Sequence, residues 1–344
     1  MPGFINFLAV IISFSVLIII HELGHFWAAK KMGVLVEEFG LGYPPRIFGK
    51  KIGETVYSLN WIPFGGFVKI YGFSHLGERP EIQITRSFSH QNIYKRVLTA
   101  LAGILMNIFL GWFLISAVFL VGEPQLILIE EVKTDSLAAT AGLQKNDTFS
   151  DFKEIKQLTD FLDTNKGKQI VLNVKRGDKN LLIKVTPRLK VPEGEGNLGI
   201  LLIETGSPKL GLVKSVTEGF LTTFKTIGLI FVGLGNLAVR LFSGGEVLSN
   251  LTGPVGIVDI GIKAVSFGFI NLLRFLALLS LNLAVFNFLP IPLLDGGWSI
   301  FMIIENFRKK SFTPKTMAII NTLGFSFFVL LALAVTVKDL VNLF

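Results

Sequence analysis

Seventeen consecutive residues, Phe4 to Ile20, carry no charge, and His21-Glu22-Leu23-Gly24-His25 follows them without a break. With the motif included the segment is long enough to cross a bilayer as a helix. On a helix, positions i and i+4 share a face, so His21 and His25 are placed to hold one zinc ion. Glu22 then sits beside the metal, where it can take a proton from a water that the metal activates. Ionisable side chains are costly inside a bilayer and usually mark function when they occur there. The bland alternative is that these residues mark where a helix meets the headgroups, but an interface requires no such spacing. A metalloprotease site in or at the edge of a membrane is the leading expectation.

Composition agrees with a membrane setting. Of 344 residues, 51% are hydrophobic and 17% charged, and the mean hydropathy is +0.60, values of a polytopic membrane protein rather than a soluble enzyme. The first segment lacks a positive n-region, and His21, Glu22 and His25 stand where a signal-peptide cleavage site would be, so it is read as retained. There is no cysteine, which excludes disulfides and thiolate metal sites. Metal ligands must come from His, Asp or Glu, and the other two histidines, His75 and His90, lie in a polar loop without a matching pattern. The net charge of +8 is concentrated beside the spans: residues 30–96 hold ten Lys/Arg against five Asp/Glu. That distribution reports topology, and no basic, aromatic-rich stretch resembles a nucleic-acid surface.

Four segments are long and apolar enough to span: about 4–25, 98–121, 270–290 and 316–337. The loops after the first and third carry the basic residues, among them Lys50, Lys51, Arg86, Arg308 and Lys310. The positive-inside rule puts these loops in the cytoplasm and both termini outside. A fifth segment, about 217–242, is ambiguous because its apolar stretch is short and bracketed by Lys225 and Arg240. It is read as an amphipathic helix along the outer interface, since a fifth crossing would turn Asp295 away from the histidines. Between spans two and three, residues 123–205 have the texture of a small soluble domain. Strands are expected at 125–132, 169–176 and 181–185, with a turn at 175–180 centred on Gly177 and Asp178. Ser136 to Ala141, followed by Gly142, reads as a short helix with a Ser cap and a Gly stop. In the first loop, strand-like pieces at 34–39, 55–59 and 67–70 flank the apolar stretch 61–69, which predicts a small sheet dipping into the membrane.

Two histidines leave a catalytic zinc one protein ligand short. The candidate third is Asp295, in Asn287-Phe-Leu-Pro290-Ile-Pro292-Leu-Leu-Asp295-Gly296-Gly297. Two prolines break the helix near the end of an apolar span, and a carboxylate follows whose cost of burial zinc would remove. The alternative is a loop in which Asp295 caps the next helix.

Taken together the chain resembles the site-2 proteases, intramembrane zinc metalloproteases, of the bacterial RseP type. The resemblance covers nearly the whole length. It rests on HELGH at 21–25, Gly65-Gly66-Phe67-Val68-Lys69, Gly103 to Asn107, Gly253-Pro254-Val255-Gly256, and N-x-x-P-x-P-x-x-D-G at 287–296. Ser136-Leu-Ala-Ala-Thr-Ala-Gly142-Leu-Gln-Lys-Asn-Asp147 resembles a PDZ stretch. By resemblance His21, His25 and Asp295 are zinc ligands, Glu22 is the general base, and Asn287 holds the substrate backbone; an interhelical hydrogen bond is the alternative for Asn287. Gly65, Gly66 and Phe67 belong to the sheet expected to hold an unwound substrate strand. The chain departs from the family pattern in having Ile104 where a proline is usual, Trp298 after Gly297, and one PDZ-like unit rather than two. Leu198-Gly199-Ile200 reads either as a peptide-binding loop or as an ordinary strand end.

The expected architecture is a polytopic α-helical membrane protein. It has four transmembrane helices, a membrane-associated β-sheet and one extracytoplasmic PDZ-like α+β domain. The divisions fall at 1–122, 123–205, 206–269 and 270–344. The expected activity is zinc-dependent hydrolysis of peptide bonds within the transmembrane segments of single-span proteins in the plasma membrane, after an upstream site-1-type protease. A zinc transporter and a non-catalytic PDZ scaffold are the alternatives; neither uses the glutamate between the histidines.

Overall fold

The computed structural model describes residues 2–73, 84–177, 179–190, 196–244, 251–310 and 312–343, so His75 and Asp178 lie outside the described residues. The chain divides into two compact units, Met1–Ala117 with Val216–Phe344, and Val118–Ser215.

The first unit begins with α1, Pro2–Lys31, one continuous helix that carries the apolar run and the His-Glu motif together. Lys30 and Lys31 close it, where cations complement the free carbonyls of a helix end. Two long strands follow, β1 (Val36–Ile52) and β2 (Thr55–Ile70), paired antiparallel. Each bends, so that they make four short runs. Residues 36–41 pair with 66–70 on one side and with 56–59 on the other, and 46–52 pair with 55–60 beyond them. The sheet expected from the sequence is present, but the stretch 61–66 belongs to β2 rather than to a loop. The chain bends there without leaving the ladder, and the Asn60 amide stitches the bend to the Leu41 and Gly42 carbonyls at 3.2 Å each. Glu54 ties the far turn to the membrane helix and the next loop, through Lys30 at 3.0 Å and Arg86 at 2.7 Å. The second long helix is α2, Ile93–Val121.

The second unit is an antiparallel five-stranded sheet with two helices. Its elements are β3 (Glu123–Val132), α3 (Leu137–Thr140), β4 (Thr148–Phe149), α4 (Ile155–Thr164), β5 (Ile170–Arg176), β6 (Lys179–Val185) and β7 (Ile200–Ser207). The strand order is β6-β5-β4-β3-β7. In β5, Ile170, Leu172 and Val174 are buried and the residues between them face out, the period-2 pattern of a half-buried strand. Leu158 and Leu162 of α4, spaced i and i+4, complete this core with Ile127, Ile129 and Phe149. Ser136 caps α3 as the sequence indicates, its Oγ accepting the Ala139 N–H at 3.1 Å. Asp147 is fully buried and receives Arg176 at 2.7 and 2.8 Å and the Gln144 N–H at 2.9 Å. That pairing accounts for the aspartate closing the Ser136–Asp147 stretch, since a buried carboxylate needs such partners.

The first unit then resumes with α5 (Leu212–Phe242), α6 (Pro254–Ser266), α7 (Phe269–Phe288), α8 (Asp295–Arg308) and α9 (Pro314–Leu343). Among the described residues five helices are long and apolar enough to cross a membrane, one more than the four segments read from the sequence: Gly3–Lys31, Ile93–Val121, Leu212–Arg240, Phe269–Phe288 and Lys315–Asp339. The additional one is α5, which runs unbroken past Lys225, so that its apolar length exceeds the bracketed stretch. Helix α6 was not separated from its surroundings in the sequence. It packs on α1 and α7, Gly261 facing Val10 and Phe275. Its first turn is capped across the fold, the Asp339 carboxylate accepting the Gly256 N–H at 2.9 Å. Gly253-Pro254-Val255-Gly256 is thus a helix start, with Pro at the first position and no side chain to displace Asp339.

Candidate metal centre

Three elements meet at one point. Helix α1 presents His21 and His25 on one face, both buried. Helix α2 crosses behind them at Gly103, where a Cβ would press on His25 Nε2 and lie 2.8 Å from His21 Nε2. The turn after α7 delivers Asp295 as the first residue of α8. This turn is tight: Leu293 has a left-handed backbone (φ 77°), an uncommon and costly state for a branched residue. Asp295 does not spend its carboxylate on capping α8; it turns to the histidines. Its Oδ2 stands 3.1 Å from His21 Nε2 and 3.4 Å from His25 Nε2, and the two Nε2 atoms are 3.2 Å apart.

The donor set fits zinc. Ligands held at about 2.0–2.1 Å around a tetrahedral ion lie about 3.3 Å from one another, and the three separations here are 3.1, 3.2 and 3.4 Å. Asp295 Oδ2 is buried without hydrogen-bond geometry to any donor. Three electron-rich atoms turned on one spot repel unless a cation lies among them. His25 is already set for this, since its Nδ1 lies 2.8 Å from the Thr99 carbonyl oxygen, leaving the Nε2 lone pair free.

The remaining candidate residues fall around this point. Glu22 follows His21 on α1, with the backbone N–H of Val68 in β2 near its carboxylate. Asn287, in the last turn of α7, brings Nδ2 to 3.5 Å from His21 Nε2, the outer limit of a hydrogen bond. Gly65 and Gly66 pack on Ile18 and Ile19 of α1, one turn before the histidines. Phe67 pairs with Gly40 and its ring stacks on Tyr43 at 6.3 Å. The structure therefore joins His21, His25 and Asp295 directly, Glu22 and Asn287 at their edge, and 65–67 along the strand that reaches Glu22. Sequence reasoning gave no role to Thr99, Gly103, Asn107 or the Val68 N–H. Asn107 was recognisable as an amide within an apolar span; the backbone groups carry no sequence signal.

A model of peptidase family M50 matches residues 9–331. The chain belongs to peptidase family M50. It is therefore an intramembrane zinc metalloprotease of the site-2 type, in a multi-pass membrane protein with zinc as its metal. Among relatives, Putative zinc metalloprotease CPE1693 of Clostridium perfringens is 34% identical over 336 residues, 96% of this chain and 97% of that one. Putative zinc metalloprotease Cj1068 of Campylobacter jejuni is 31% identical, over 98% and 93% of the two chains. Regulator of sigma-W protease RasP of Bacillus subtilis is 28% identical, over 98% of each. Family membership decides against the transporter and scaffold alternatives.

Proposed function

We propose that this M50 protease cleaves single-span membrane proteins within their transmembrane segments, with His21, His25 and Asp295 holding zinc and Glu22 acting as general base. The observation that carries this reading is the convergence of three ligand atoms beside a glutamate that a β-strand also reaches. Bound zinc supplies Lewis-acid polarisation of the scissile carbonyl and makes nearby water more acidic. Glu22 takes the proton of the attacking water and returns it to the leaving nitrogen. Asn287, with a donor amide beside His21, holds the substrate backbone next to the bond being cut. A transmembrane helix hides its carbonyls in its own hydrogen bonds, so the substrate must unwind. The bent sheet of β1 and β2, including Gly65, Gly66 and Phe67, receives the unwound segment as an added strand.

The reading extends to topology. The chain is of the RseP type with one PDZ-like domain, 123–205, inserted between spans. Four helices cross the plasma membrane, and α5 lies along the outer interface within region 206–269, between membrane cores 1–122 and 270–344. Lys225 and Arg240 on α5, and the basic loops at 30–96 and 308–315, support both termini and the PDZ-like domain being extracytoplasmic. A domain there screens bulky ectodomains, so that substrates enter after an upstream protease has trimmed them.

Glu22→Gln tests the chemistry. Cleavage of a single-span substrate should fall at least about a hundredfold while zinc content stays at the parent level. Parent-like cleavage would remove Glu22 from the reaction. Because the chain has no cysteine, single-cysteine labelling tests topology, and a cytoplasmic signal from position 150 would overturn the four-span arrangement.

A further inference from the structure

The two histidines are held differently on their far sides. His25 Nδ1 meets the Thr99 carbonyl, which can only accept, so the proton is fixed on Nδ1 and the lone pair on Nε2. His21 Nδ1 instead meets the side-chain amide of Asn107 at 3.1 Å. Asn107 is fully buried and is the only amide side chain of α2. Thr99, Gly103 and Asn107 are spaced i, i+4 and i+8, so one face of α2 serves both rings. The Asn107 backbone is anchored in turn by α7, Ser280 Oγ donating to the Asn107 carbonyl at 2.8 Å, with Ser280 also fully buried.

The amide has two coherent settings. With Nδ2 toward the ring, it donates to an unprotonated Nδ1. The His21 proton is then on Nε2, facing Asp295 Oδ2 at 3.1 Å, and Asn107 Oδ1 is buried without a partner. In this setting the protonated Nε2 has no lone pair for zinc. With the amide turned over, Oδ1 accepts the proton of Nδ1–H and Nε2 is free to bind. We propose that Asn107 is a positioning residue that selects the tautomer of His21, its amide oxygen holding the Nδ1 proton whenever the metal is bound. This rests on His21 being a zinc ligand. It makes the two histidines unequal: His25 is set by a backbone carbonyl, and His21 is set by a side-chain amide. Outer hydrogen bonds of this kind fix ring orientation and raise ligand basicity.

The test uses the full-length protein in detergent, with zinc dissociation constants from competition with a chelating dye and thermal unfolding of the zinc-free form. Asn107→Leu keeps the branched shape and removes both donor and acceptor; zinc affinity should fall about 10–100-fold with little change in the zinc-free midpoint. Asn107→Asp supplies an acceptor only and should bind zinc at least as tightly as the parent. A residue that merely packs gives the opposite ranking, since leucine is tolerated there and an uncompensated buried carboxylate is not. Parent-like zinc binding by Asn107→Leu overturns the proposal, as does loss of zinc by Asn107→Asp. If the leucine chain fails to fold, the aspartate chain decides by the same criterion. His21→Ala separates the two levels: unchanged zinc binding there would overturn the metal-centre reading and this proposal with it. Loss of zinc in that control beside parent-like Asn107→Leu sinks the proposal alone.

Discussion

In the unit Val118–Ser215 the core is apolar, with Ile127, Ile129, Phe149, Leu158, Leu172 and Val174 among its buried side chains, and the exposed strand positions are polar as often as not. In the unit with the long helices Phe113, Leu229, Leu323 and Leu330 point outward at 60–66% exposure, while His21, Asn107, Ser280 and Thr99 are buried. The hydrophobic effect assembles the first, each fully buried large side chain contributing about 1.5–3 kcal/mol. Lipid removes that drive between membrane helices, which rely on close packing and polar contacts instead. The difference teaches where each unit is vulnerable: one through its apolar volume, the other through its few polar atoms and the small residues that let helices meet.

Substitutions can break or sharpen this contrast. The largest effect is expected from Asp295→Ala, which removes the proposed third ligand and leaves two histidines facing each other; no cleavage and no stoichiometric zinc should remain, read by metal analysis and a substrate assay. Zinc retained at parent affinity would take Asp295 out of the centre. Next, Leu158→Ala should destabilise the 118–215 unit by about 2–5 kcal/mol, seen in thermal unfolding, while zinc affinity stays unchanged. A parallel loss of zinc would mean that the two units do not fail independently. Gly103→Ala is its counterpart in the membrane unit, adding one methyl group against His25 and His21. The expected cost is about 1–3 kcal/mol, appearing as roughly tenfold or greater loss of zinc affinity with the 118–215 unit untouched.

The smallest effect should come from Glu54. Arg86 first and then Lys30 hold its carboxyl below the ordinary value of 4.5. A group with a lowered folded-state pKa contributes stability that is complete above its unfolded value and lost as pH falls through the folded one. Glu54 is about one third exposed, so Glu54→Gln should cost less than about 1 kcal/mol at neutral pH. The difference from the parent should vanish as pH falls through that lowered folded-state value. A difference that persists there would show that the ion pairs are not what Glu54 provides.

Much of the centre was legible because its chemistry is written in side chains at fixed spacing: His21, Glu22 and His25 on one helical face, and Asp295 after two prolines. The core of the small domain was partly legible through the alternation at 169–176. Helix α4 was missed although Leu158 and Leu162 stand at i and i+4, because Thr159, Asp160 and Asp163 have poor helix propensity and only burial fixes the segment. Gly and Pro between 40 and 66 read as breaks in the sheet, whereas the ladder continues through the bends by pairing on both sides. Helix α5 was the hardest: Lys225 and Arg240 set bounds on an apolar stretch, but a charged residue does not end a helix. Around the histidines only Asn107 left a sequence signal, as an amide within an apolar span; the Thr99 carbonyl is a backbone atom that any residue would offer.

The Asp295 carboxylate is synthesised 270 positions after His25, the difference between the two residue numbers. At about 5–20 residues per second of synthesis, the histidine pair waits on the order of ten seconds to a minute before its third partner exists. On the proposed ligand set, a ribosome-bound chain with only the first spans inserted has two of three zinc ligands and should carry no competent protease. Chains stalled before residue 295 should accordingly lack zinc, and chains stalled well beyond it should acquire the metal. On that ligand set, synthesis of the turn that carries Asp295, rather than of the helix that carries the histidines, is the event that completes the metal centre.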